Sequence, residues 1–183
     1  MTAVFLDRDG VLNEDRDDYV KSLDEFIWIN GAKKAIKKLN EANLLVIVVT
    51  NQSSVGRGII SSSIVEDIHE KIQEDLKKIG ARIDAFYYCP APPEEGSPFR
   101  KPQPGMLLQA QKENHIELEN SYLIGDSMSD IEAGLKAGCK TILVLTGKGK
   151  DQLANMSSNG VRPHIIAQDV SEAVKVILNS HDR

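Results

Sequence analysis

Short continuous apolar runs alternate along this chain with segments whose apolar residues recur at helical spacing. Runs at 3–6, 44–49, 85–88, 121–124, 141–145 and 163–166 have strand length. The run at 44–49 is rich in β-branched residues and carries no polar alternation, the pattern of a strand buried on both faces. Between the runs, Ala32, Ala35, Ile36 and Leu39 form one apolar stripe over 31–42, and Ile64, Ile68, Ile72, Leu76 and Ile79 form another. Ser63 followed by Glu66 reads as a capping box for that second helix, with Gly80 as its stop. Further helices are predicted at 106–114, 129–137 and 171–178. Gly138 ends the middle one, and 146–159 gives the weakest signal.

Strand alternating with helix predicts an α/β fold, a single doubly wound, mainly parallel sheet of Rossmann-like type. No repeat, low-complexity tract or linker divides the chain, so residues 1–183 are expected to form one domain. The intervals from Asp9 to Thr50 and from Asn51 to Lys101 are used up by predicted core elements. A separate cap domain therefore has no room, and loops 13–20, 52–58 and 89–100 are left to shape any pocket.

Composition narrows the function classes. At 41% hydrophobic and 27% charged residues the chain has the balance of a soluble globular protein, and no apolar run approaches the roughly 20 residues of a membrane span. With the first strand beginning at residue 3, no signal peptide is expected. Two cysteines, Cys89 and Cys139, make no disulfide framework, and a reducing cytoplasmic setting is the expectation. A net charge of -5 argues against nucleic acid as partner but leaves room for a small anionic metabolite held by a local cationic cluster. The chain is expected to act as a monomer.

Three predicted strands end in polar clusters: Asp7-Arg8-Asp9-Gly10, Thr50-Asn51-Gln52-Ser53-Ser54 and Gly125-Asp126-Ser127-Met128-Ser129-Asp130. In open parallel sheets ligands bind outside the carboxyl ends of the strands, which places all three clusters on one rim. Residues two apart in extended chain share a side, so Asp7 and Asp9 can face one spot. Asp126 and Asp130 share a face if a helix starts at once. Asp7, Asp9 and Asp126 would make an oxygen-rich pocket suited to Mg²⁺. Arg100 and Lys101 supply cations against a phosphate, and Thr50 and Asn51 add a hydroxyl and amide donors. Carboxylates, hydroxyl, lysine and metal together describe phosphoryl transfer through an aspartyl phosphate.

The ordered set Asp7-x-Asp9-Gly10, Thr50-Asn51, Lys101 and Gly125-Asp126-x-x-x-Asp130 resembles the four motifs of the haloacid dehalogenase (HAD) superfamily of phosphatases. In finer detail, 6–13, 50–58 and 100–106 are similar to the branch containing D-glycero-D-manno-heptose 1,7-bisphosphate phosphatase and histidinol-phosphate phosphatase. The resemblance runs from about residue 3 to about residue 145. It implies a hydrolase of phosphoric monoesters with Asp7 as nucleophile and Asp9 as acid and then base. It further implies Mg²⁺ on Asp7, the Asp9 carbonyl and Asp126, with Asp130 supporting. Thr50, Asn51 and Lys101 would hold the transferring group, and Arg100, Gln52 and Arg57 would contact the rest of the substrate. A catalytically inactive binding module on the same fold is the rival from another class; intact Asp7, Asp9, Lys101 and Asp126 argue against it. A signalling receiver is disfavoured because the second strand here ends in Thr50-Asn51.

Plainer readings hold elsewhere. Calcium-loop registers starting at Asp7 or Asn13 place Leu12 or Asp18 where glycine is needed. The acidic run 14–18 reads as a solvated loop, or else as the pocket entrance. Lys33, Lys34, Lys37 and Lys38 form a wet helix face, 147–151 a turn, His69 an exposed helix residue and Cys139 a core thiol.

One departure from the branch matters. Its loop before the Arg-Lys-Pro motif usually carries a zinc site of three cysteines and a histidine, whereas here Cys89 is followed by Ala91, Ser97 and Phe99, with no histidine between His69 and His115. Zinc needs about four ligands in such a site. Six of the seven prolines fall at 90–104 and are expected to stiffen the loop in its place. Metal analysis of the purified chain is predicted to find no stoichiometric zinc; one tightly bound zinc per chain would overturn this.

Overall fold

The structure, a computed structural model, describes residues 1–156 and 160–181. Six parallel strands form one sheet in the order β3-β2-β1-β4-β5-β6. They are β1 (Ala3–Leu6), β2 (Leu45–Asn51), β3 (Ala85–Cys89), β4 (Tyr122–Gly125), β5 (Lys140–Val144) and β6 (Ile165–Ala167). β1 is central, paired with β2 through Phe5 opposite Ile47 and with β4 through Phe5 opposite Leu123. The chain winds outward from β1 in both directions, so the crevice at the carboxyl ends opens beside β1.

Alternate strand residues feed two apolar layers. Val4, Leu6, Val46, Val48, Ile124 and Val144 pack with α1 (Ala32–Glu41), α3 (Ser62–Lys77) and α7 (Val170–His181). Ala3, Phe5, Ile47, Val49 and Leu123 pack with α4 (Gly105–Asn114) and α5 (Met128–Ala137) on the other face. Burial on both faces is why strands β1 and β2 read as unbroken apolar runs. Ile68, Ile72 and Leu76 of α3 are fully buried, and truncating any one to alanine would cost about 2–5 kcal/mol. Among the described residues no helix is long and apolar enough to cross a membrane.

Four expectations need correction. The cap of α3 is Ser61, in extended conformation; Ser63 lies inside the first turn and shares a hydrogen bond with the Ser61 hydroxyl, while Glu66 is exposed. Three consecutive serines gave the pattern three possible starts. Helix α2 (Ser53–Gly56), a single turn, follows β2 directly. The region 146–159 contains α6 (Gly149–Asn155), which takes up the end of the turn expected at 147–151; residues 157–159 lie outside the described residues. Finally, His69 is only 7% exposed, with its ring stacked on Phe86 of β3 at 4.4 Å.

His69 gives the fold an acid limit. Burial, with the nearby Arg8 charge adding to it, pushes its pKa down to about 3. The unfolded chain takes up this proton near pH 6.5 while the folded chain refuses it, so this contribution leaves stability intact above 6.5 and erodes it as pH falls towards 3. His69→Phe keeps an aromatic ring against Phe86 and is predicted to flatten the loss of melting temperature between pH 6 and pH 4; an unchanged slope would remove His69 as its cause.

Candidate active site

The polar clusters meet where the sheet order reverses. Asp7 follows β1 and its backbone N–H donates to the Ile124 carbonyl at 3.0 Å, which ties the turn to β4. Thr50 and Asn51 end β2, Asp126 follows β4, and Lys101 enters from the β3–α4 connection. Oxygens of Asp7, Asp126 and Asp130 all lie within 4.8 Å of one another. The route for Asp130 differs from the expected shared helix face: α5 begins at Met128, so Asp126 precedes the helix. Asp130 is its third residue, in a capping box with Ser127.

Lys101 is the cation of the centre, 2% exposed. Its Nζ donates to Asp130 Oδ1 at 2.6 Å and to the Val49 carbonyl at 2.8 Å, and lies 3.0 Å from Asp7 Oδ1. Burial opposes its charge, but Asp130 and Asp7 outweigh burial and hold its pKa above the ordinary lysine value. Asp130 spends its other oxygen on the Ser127 N–H at 3.1 Å and hydroxyl at 2.7 Å. Asp7 and Asp126 face the cavity with their pKa values raised, first by burial and then by repulsion among the neighbouring carboxylates. Two acids that resist ionising side by side are a site built for a cation. Asp9 runs the other way: burial works against its charge, yet Arg8, Asn13 and Gln52 hold its pKa below the usual carboxylate value.

Asp7, Asp9, Thr50, Gln52, Lys101 and Asp126 line a cavity of about 360 Å³ that also takes in Arg57, Arg100, Lys148 and residues 15–17 of the acidic loop. That loop is therefore part of the pocket wall.

Relatives of known name resemble the chain over nearly its whole length. Residues 98–173 match the family model described as HAD-hydrolase-like. The chain is 37% identical to a D-glycero-β-D-manno-heptose-1,7-bisphosphate 7-phosphatase of Pseudomonas aeruginosa over 97% of this chain and 98% of the relative. It is 40% identical to the enzyme of the same name from Bordetella bronchiseptica over 84% and 86% of the two chains. The chain belongs to the HAD-like hydrolases, among their phosphatases. Its fold superposes with a TM-score of 0.92 on a D,D-heptose 1,7-bisphosphate phosphatase from B. bronchiseptica crystallised with magnesium and phosphate, at 35% identity over 98% of this chain and 99% of that one.

Within this HAD site the expected substrate contacts sit at different depths. Asn51 is turned to the protein: its side chain accepts from the Lys101 N–H and donates to the Lys101 carbonyl, both at 3.0 Å. Gln52 is buried, and its amide donates to Asp9 Oδ2 at 2.7 Å and to Thr50 Oγ1 at 3.0 Å. Arg57 is exposed at the rim, 3.4 Å from Glu94, and Arg100 donates to the Ala91 carbonyl at 3.0 Å.

The loop after β5 escaped the sequence reading. The Thr146 hydroxyl donates to the Gly10 carbonyl at 2.6 Å and the Lys148 N–H to Asp126 Oδ2 at 2.8 Å. Gly10 and Gly147 both have positive φ, and a Cβ on either would run into the Asp126 carboxylate. Gly147 beside Thr146 was the available signal, since glycine is favoured where backbone must approach closely. Cys89, in turn, lies 3.7 Å from the Ser97 hydroxyl and joins no group of three candidate metal ligands among the described residues.

Proposed function

We propose that this HAD phosphatase is a Mg²⁺-dependent phosphomonoesterase that works through an aspartyl phosphate on a small phosphorylated sugar. The 7-phosphate of D-glycero-D-manno-heptose 1,7-bisphosphate is its preferred target. The observation that carries the reaction is Asp7, with one oxygen held by buried Lys101 and Asp126 and Asp130 beside it. The substrate rests on the named relatives and on a pocket whose rim carries Arg57, Arg100 and Lys148, enough cations for a second anionic group. Residues 1–183 act as one phosphatase domain.

Asp7, Asp126 and the Asp9 carbonyl would hold Mg²⁺, with Asp130 behind them. The donor set fits a hard cation that accepts few carboxylates. Bound there, the ion offsets the charge of the carboxylates and of the phosphoryl oxygens, so that an anionic nucleophile can approach phosphorus.

The residues of the chain supply the remaining chemistry. Thr50 and Lys101 hold the phosphoryl oxygens. Asp7 attacks phosphorus, its new O–P bond forming as the ester P–O bond breaks, and the leaving oxygen departs as the alcohol with a proton from Asp9, a carboxylate in the free protein that takes this proton up when the anionic phosphoryl group comes beside it. Asp9, now a carboxylate, accepts a proton from water as the water oxygen attacks the same phosphorus. The Asp7–phosphorus bond breaks, inorganic phosphate is released, and both aspartates return to their starting forms.

Purified protein with Mg²⁺, tested on heptose bisphosphate, histidinol phosphate, nucleotides and phosphoglycolate, is predicted to turn over heptose bisphosphate with the highest kcat/KM. EDTA should abolish turnover. Asp7→Asn should lower it by about 1,000-fold or more with the melting temperature retained. Another preferred ester would replace the substrate, near-normal activity in Asp7→Asn would remove the nucleophile, and no Mg²⁺-dependent turnover on any ester would favour the inactive module.

A further inference from the structure

Arg8 lies between the two catalytic aspartates, and no step above uses it. Its side chain is fully buried, which is rare for arginine unless it is paired. Nε and Nη2 donate to Asp9 Oδ1 at 3.3 and 3.0 Å, and Nη2 also reaches Oδ2 at 3.1 Å. Asn13 Nδ2 adds a bond to Oδ1 at 2.8 Å, and Gln52 Nε2 one to Oδ2 at 2.7 Å. Both oxygens of Asp9 are thus gripped from within the protein while 22% of the side chain stays open to the cavity.

Among the described residues Asp9 is the one carboxylate ion-paired with Arg8, and Arg8 Nη1 is buried without a partner. If Asp9 rotated away, the guanidinium would keep its burial and lose its counter-charge, an expensive state. Gln52 extends the grip to Thr50, since one amide nitrogen bonds both residues.

We propose that Arg8 is a positioning residue, a buried tether that fixes the Asp9 carboxylate in the orientation from which it serves the leaving oxygen, with Asn13 and Gln52 as its accessories. The inference rests on the assignment of Asp9 as acid and base. It predicts that Arg8 matters in proportion to how much the leaving group needs a proton. An alkoxide departs poorly without one, whereas p-nitrophenolate departs unaided. The ratio kcat/KM covers only the steps through alcohol release, so the hydrolysis of the aspartyl phosphate does not enter.

The test compares kcat/KM for a sugar phosphate and for p-nitrophenyl phosphate in wild type, Arg8→Met and Arg8→Lys, all with Mg²⁺. The sugar-to-aryl ratio is expected to fall about 10-fold or more in Arg8→Met, and less in Arg8→Lys, which keeps a cation but loses the fork. If Arg8→Met does not fold, Arg8→Lys and Asn13→Ala are read on the same ratio, each with a smaller fall expected. Equal losses on both esters would make Arg8 merely structural and overturn the proposal. A rise in the ratio would also overturn it, because removing the cation eases protonation of Asp9, and charge would then outweigh orientation. Wild-type turnover separates this failure from that of the underlying reading: a wild type inactive on both esters removes the reaction itself, whereas an active wild type with an unchanged ratio in the variants removes only the tether.

Discussion

The buried ammonium of Lys101 is the interaction on which the site depends. It joins the end of β2, through the Val49 carbonyl, to the first aspartate after β1 and to the third residue of α5. Three segments far apart in sequence are thereby fixed to one point. Removing one partner of such a buried ion pair costs about 3–5 kcal/mol, because the charges left behind have no water to turn to. Lys101 therefore works on both levels, keeping Asp7 and Asp130 together in the folded chain and, in the proposed reaction, presenting a positive charge to the phosphoryl group. Asp130 completes the arrangement by capping α5, so a cation from one loop sets the start of a helix on the far side of the centre.

Outside that centre the cations of the pocket are already engaged. Arg57 meets Glu94 at 3.4 Å, Lys148 meets Asp15 at 3.4 Å, and Arg16 meets Asp18 at 3.0 Å. Exposed pairs of this kind are worth at most about 1 kcal/mol, so an incoming phosphate can displace the resident carboxylates at little cost. A neutral group cannot compensate the arginine or lysine it would uncover. A chain with a net charge of -5 can in this way keep a local preference for anionic substrates.

The sheet was legible because burial on both faces leaves a simple trace, runs without polar residues. The polar ends of β1, β2 and β4 were legible as a site because parallel topology sends them to one rim. The missed features share a physical cause, in that partners distant in sequence decide them. His69 sits among polar helix neighbours, and the Phe86 and Tyr88 rings on β3 make its position interior. Gln52, more than 40 residues from Asp9, completes the grip on the carboxylate that Arg8 pairs with. The turn at Thr146 and Gly147 has weak periodicity, and its meaning lies in Gly10 and Asp126, more than 130 and about 20 residues away. Ser63 misled for a more local reason, since neighbouring serines compete for one cap.

The loop between β3 and α4 shows how Lys101 is held in place. Its outer part is fastened by backbone bonds, from the Gly56 N–H to Pro90 and from the Gly105 N–H to Pro98. Arg100 adds a side-chain bond to Ala91. Its inner end is fastened by Asn51, whose amide pairs with both backbone groups of Lys101. Asn51 belongs to the last residue of a buried strand, so the lysine inherits the rigidity of the sheet. Variation in the outer loop can then reshape the substrate rim around Arg57 and Arg100 without moving the cation that faces Asp7. In the proposed reaction the strand end, more than the loop, would determine where phosphorus is attacked.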